Sequence, residues 1–127
     1  MKTKVLMVAT VAYLGISGIG LTFLPQEILS FFSISPDTSI VLFLQIIGAM
    51  YLGFAMMNWI SRNGLIGGIY NRPLVLGNFI HFVVSAFALI KVVNQFEGSH
   101  FGIMITITIL YVIFGLSFGF LLRASPV

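Results

Sequence analysis

The sequence predicts an all-α polytopic membrane protein: a bundle of four transmembrane helices, with a short interfacial helix after the first span. Three observations carry that reading. Of 127 residues, 59% are hydrophobic and only 7% are charged, against roughly a quarter charged in soluble domains. Mean hydropathy is +1.13. Four apolar stretches approach or reach the roughly 20 residues that a helix rising about 1.5 Å per residue needs to cross some 30 Å of hydrocarbon. A chain this short makes a single integral membrane domain, and so few charges would leave a soluble monomer with apolar patches it could not tolerate.

The first span runs from Val5 to Leu24. Lys2 and Lys4 precede it, but the apolar run is longer than a signal-peptide core and lacks an Ala-x-Ala-like site near its end, so the span is expected to be retained. Gly15, Ser17, Gly18 and Gly20 allow a neighbouring backbone to come close and the helix to bend. In the connection that follows, Pro25 can start a helix in which Ile28, Leu29, Phe31 and Phe32 are apolar while Gln26, Glu27 and Ser30 are polar. This pattern predicts a surface anchor, with a lid over an opening between helices as the sharper alternative. Pro36 and Asp37 end the connection, and Asp37, Thr38 or Ser39 caps the next helix.

The second span, Ser39 to Ile60, carries Ala49-x-x-x-Gly53 beside Gly48, a close-packing pattern, and Trp59 as an interfacial anchor. Asn63-Gly64 and Gly67-Gly68, framed by Arg62 and Arg72 and closed by Pro73, predict a flexible cationic connection in contact with anionic head groups, with a phosphate-binding nest as the sharper alternative. No Gly-Lys-Ser/Thr follows, so a nucleotide loop is not supported. Tyr70 beside Arg72 reads as another anchor. The third span, Leu74 to Val93, contains His81 and ends near Lys91; the fourth, Gly102 to Leu122, carries Gly115-x-x-x-Gly119 with Ser117 nearby. These small-residue faces pack helices within one chain or between protomers. An offset of 60 residues pairs Tyr51 with Tyr111 and Phe54 with Phe114, a faint sign of a duplicated hairpin.

Charge sets the topology. Lys2, Lys4, Arg62, Arg72 and Arg123 fall on one side, while Glu27, Asp37 and Glu97 fall on the other, which predicts cytoplasmic termini in a plasma membrane. Only Lys91 breaks the pattern, and its long stem can snorkel outward.

Polar residues at membrane depth supply the candidate site. Counting from each cytoplasmic end, Tyr13, Tyr51 and His81 lie at about the same depth, roughly 10 to 14 Å in, with Tyr111 slightly deeper. Asn78, His81 and Ser85 follow i, i+3 and i+7, a stripe expected to face protein, because lipid would leave its polar atoms unpaired. Asn58 extends this level inward; Gln45, Thr106 and Thr108 form a second one. Such residues often only join helices. The functional alternative makes His81 a proton carrier or ligand-binding donor.

Other chemistries lack their residues. Without cysteine there are no disulfide scaffolds, thiolate metal sites or thiol oxidoreductases. With Glu27, Asp37 and Glu97 all in outer connections, neither antiport by a buried acid nor paired-carboxylate catalysis is provided for, and His81 has no acid to orient it in a Ser-His hydrolase. His81 and His100 lie at different depths, so they cannot share a haem iron, and no metal or other cofactor is expected. The six Met and thirteen Phe read as lipid-facing or gap-filling rather than as a cofactor box. A net charge of +3 reflects topology rather than a nucleic-acid partner.

A first helix ending in Leu24-Pro25, then Ile28-Leu29 and Phe31-Phe32, then Gln45-Ile46-Ile47-Gly48-Ala49 running into Leu52-Gly53 and Asn58-Trp59-Ile60, resembles the DoxX-like small four-helix bacterial membrane proteins. The likeness covers the first half of the chain, with Gln45 where members often carry a basic residue. It implies the four-helix architecture and, for some members, redox or quinone-associated membrane complexes; no catalytic residue carries over. The sequence thus predicts a non-enzymatic small subunit or lipid-facing helper of a membrane complex, with membrane lipids and further copies or other chains as partners. The alternative is a small-molecule or lipid binder or transporter using the level around His81.

Overall fold

The protein is described here by a computed structural model covering residues 2–64 and 71–124; Gly67-Gly68 and Tyr70 lie outside the described residues. All elements among them are helical: α1 (Lys2–Phe23), α2 (Pro25–Phe31), α3 (Thr38–Ser61), α4 (Arg72–Val92), a 3-10 turn (Val93–Gln95) and α5 (Gly98–Ala124). The four long helices are long and apolar enough to cross a membrane, so the chain has the fold of a multi-pass integral membrane protein. It divides into two compact units, residues 1–62 and 63–127, each an antiparallel helical hairpin.

In the first unit, α1 and α3 meet where neither carries a side chain. A Cβ on Gly18 would stand 3.0 Å from the Gly48 carbonyl oxygen, and one on Gly48 would stand 2.9 Å from that of Gly18. Glycine is needed on both sides of such a crossing. Met7, Thr10 and Leu14 of α1 and Ala55 and Asn58 of α3 fill the interior below it. The connecting segment behaves as its local chemistry dictates. Pro25 opens α2, Pro25 and Leu29 are buried, and Glu27 stays exposed. A Schellman-type closure ends α2: Ile34 N–H donates to Leu29 O at 2.9 Å and Ser33 N–H to Ser30 O at 3.0 Å, with Ser33 at φ 58°. Asp37 then caps α3, its Oδ1 accepting from Ile40 N–H at 3.0 Å.

The second unit is held by aromatic packing. Phe82 is fully buried; its ring stacks on Phe114 at 4.8 Å and Phe118 at 6.0 Å and meets Tyr111 edge-on at 5.2 Å. Gly115 and Gly119 make room for α4: a Cβ on Gly115 would approach Val83 Cγ2 to 3.1 Å, and one on Gly119 would approach Phe79 Cε2 to 2.9 Å.

Several boundaries differ from expectation: α1 begins at Lys2 rather than Val5, and α5 ends at Ala124 rather than Leu122. The fourth span begins at Gly98 rather than Gly102, so the connection between α4 and α5 is a 3-10 turn followed by Phe96 and Glu97. α4 likewise begins at Arg72, two residues before Leu74. Hydropathy falls where polar side chains start, but backbone hydrogen bonding continues through them: Phe101 N–H already reaches Glu97 O at 3.4 Å.

Both hairpins repeat one buried register. Met7, Thr10, Leu14 and Gly18 of α1 correspond at a constant offset to Val75, Asn78, Phe82 and Ala86 of α4, all eight buried. Gly48, Ala55 and Asn58 of α3 correspond to Thr108, Gly115 and Phe118 of α5, again all buried, and Tyr51 to Tyr111. The Tyr51–Tyr111 coincidence in the sequence is one member of this larger set.

Candidate functional site

Thr10, Asn58, Asn78 and Thr108 are buried within their hairpins, whereas Gln45 and Thr106 are exposed. Tyr13 and Tyr51 belong to the first unit, where both are half-buried; Asn78, His81, Ser85 and Tyr111 belong to the second. Within that second unit His81 and Tyr111 are brought together, their ring centroids 5.6 Å apart, with the Phe82 ring 4.9 Å from His81. Asn78 is fully buried and Tyr111 nearly so, while His81 and Ser85 are half-buried.

Several polar side chains bond along their own helix. Asn78 Nδ2 donates to Leu74 O at 3.0 Å and Asn58 Nδ2 to Phe54 O at 2.8 Å. Thr10 returns its hydroxyl to Leu6 O at 2.8 Å, Thr106 to Gly102 O at 2.8 Å, Thr108 to Met104 O at 2.7 Å and Ser117 to Ile113 O at 2.8 Å. Every one of these bonds reaches four residues back along its own helix, an arrangement that engages a polar donor within hydrocarbon. Gln45 is the exception, its Nε2 crossing from α3 to Thr22 O of α1 at 3.4 Å. Thr22 Oγ1 itself is buried without a described partner.

Of the predicted packing residues, Gly115 and Gly119 face α4, whereas in the first unit the close approach falls on Gly48 and Gly18. Ala49 is exposed on its hairpin, and a Cβ on Gly53 would meet nothing within 4 Å. Sequence reasoning did not single out Thr10, which is fully buried; its i+3 spacing from Met7 and i+4 spacing to Leu14 was the available signal.

Two depressions adjoin these residues. In the second unit an apolar groove of about 180 Å³ is bounded by Val83, Ala86, Phe87, Tyr111, Gly115 and Leu116. In the first, a more polar hollow of about 400 Å³ lies between α2 and the start of α3, with Gln26, Asp37, Thr38 and Gln45 on its walls. Among the described residues no three His, Cys, Asp or Glu side chains cluster as a metal site would require. Comparison of the chain with protein-family models, with curated proteins and with solved structures returned no match.

Proposed function

We propose that the chain is a non-enzymatic membrane protein, a small subunit or lipid-facing helper of a larger complex, lying in the plasma membrane with both termini cytoplasmic. One observation supports this most: the hydroxyl donors of Thr10, Thr106, Thr108 and Ser117 are turned back onto their own helices. Groups engaged in that way stabilise helices in lipid and are not aimed at a substrate. The outward faces agree with the role, since Ile16, Leu116 and Phe120 stand 73%, 71% and 75% exposed and need lipid or another chain against them. The resemblance to DoxX-like proteins points the same way.

Native mass spectrometry after gentle extraction tests the proposal. Recovery with a second protein chain, or with further copies, in fixed stoichiometry is the expected result. Strictly monomeric protein carrying a stoichiometric small molecule would overturn it.

A second reading is favoured by the His81–Tyr111 pair, because Tyr111 also forms a wall of the apolar groove. A lipid or small molecule with an apolar tail in that groove and a polar group at His81 would make the chain a binder or transporter. His81→Ala would then abolish ligand retention while leaving the protein folded; loss of stability alone would count against this reading.

A further inference from the structure

The two arginines that frame the inner connection differ in what they do. Arg62 is engaged at the end of its own helix: its Cζ lies 3.5 Å from the centroid of the Trp59 ring, and its Nη1 donates to Trp59 O. Arg72, at the first position of α4, has its Nη1 shut away from solvent with no described acceptor.

Among the described residues of the second unit, no carboxylate side chain balances that charge. The whole sequence has three acidic residues, and the one in the second unit, Glu97, lies beyond the far end of α4, roughly 30 Å away along the helix. A second cation comes close instead. Gly119 against Phe79 and Gly115 against Val83 fix the antiparallel register of α4 and α5. Continued toward the helix ends, that register places Arg123 at the level of Val75, about one turn from Arg72. Among the described residues, this end of the hairpin therefore carries two guanidinium groups, one of them partly sunk into the protein without a described acceptor, and no acidic side chain.

We infer that Arg72, supported by Arg123, binds a phosphate group, as the head group of an anionic lipid or as phosphate from solution. A guanidinium offers a planar fork of donors that matches two phosphate oxygens at once, and at a membrane surface such groups meet anionic lipid directly. Arg62, already engaged by Trp59, is not part of the site.

The test uses the full chain in detergent micelles, titrated with phosphatidylglycerol or phosphatidylcholine and read by native mass spectrometry. One phosphatidylglycerol is expected to bind at least tenfold more tightly than phosphatidylcholine. Arg72→Gln should remove that preference, Arg123→Gln should weaken it, and Arg62→Gln should leave it intact. Competition by millimolar inorganic phosphate would identify free phosphate as the ligand, and resistance to it the lipid. Equal binding by wild type and Arg72→Gln overturns the inference, as does loss of the preference in Arg62→Gln. Should Arg72→Gln not fold, Arg72→Lys replaces it: the charge remains but the fork is gone, so a clear drop in affinity is expected, and undiminished affinity overturns the site.

Discussion

Gly18 and Gly48 face each other across the crossing of α1 and α3, each so placed that a Cβ on it would come within about 3 Å of the other's carbonyl oxygen. A Cβ on Gly48 would also stand 3.0 Å from Thr22 N. Backbone cannot rotate aside as a side chain can, so Gly48→Ala has to separate the helices. The expected cost is about 1–3 kcal/mol, typical of overpacking. Gly53→Ala, into open space within α3, should not destabilise and should gain up to about 1 kcal/mol of helix propensity. Reversible unfolding in mixed micelles compares the two.

Phe82 is the centre of the second hairpin, in contact with Tyr111, Phe114 and Phe118. Phe82→Ala removes a fully buried ring and is expected to destabilise by about 3–5 kcal/mol. Phe87→Ala, at a side chain 67% exposed, is the matching control and should cost far less in the same assay.

The threonines give a contrasting expectation. Thr10 and Thr108 donate only to carbonyls of their own helices, which remain engaged in the helix after substitution. Thr10→Val and Thr108→Val keep the side-chain shape and should each shift unfolding by under about 1 kcal/mol. A loss of several kcal/mol would reveal a bond to a neighbouring element and weaken the proposal that these groups serve structure alone.

Two local features of the connection after α1 predict changes of opposite sign. Asp37→Ala removes the cap on Ile40 N–H and is expected to cost about 0.5–2 kcal/mol, while Asp37→Asn, a comparable cap, costs little. Ser33 holds a positive φ without being glycine. Ser33→Gly should therefore stabilise the end of α2 by about 1 kcal/mol, read as slower amide exchange at Ile34.

What could be read from the sequence follows from the range of the interactions involved. Pro25 as a helix start and Asp37 as a cap were legible because each acts on residues within one turn of itself. The four spans were legible because hydrocarbon thickness fixes their length. Rotation of each helix about its axis was not, because a helix that is apolar nearly all round has no polar face to mark its outside. Hence the choice between Ala49-Gly53 and Gly48 as the contact face depended on which residues α1 presents opposite α3. In the candidate site, the Asn78-His81-Ser85 stripe was legible from spacing. That Asn78 would bond to Leu74 O was not, because an amide at that position has the same periodicity whether it bonds along its helix or across to another.

The shortness of the link between α4 and α5 has a consequence for synthesis. Five residues, Val93 to Glu97, separate the two helices, and a chain extending at most about 3.3–3.6 Å per residue cannot bridge a bilayer with so few. When α4 has crossed, the start of α5 is already on the far side and can only return, so the orientation of one helix fixes that of the other. Lys91, near the end of α4, is carried to the side of Glu97 by that hairpin, whatever its own charge would favour. The segment between α1 and α3, long enough to contain α2, imposes no such coupling by its length.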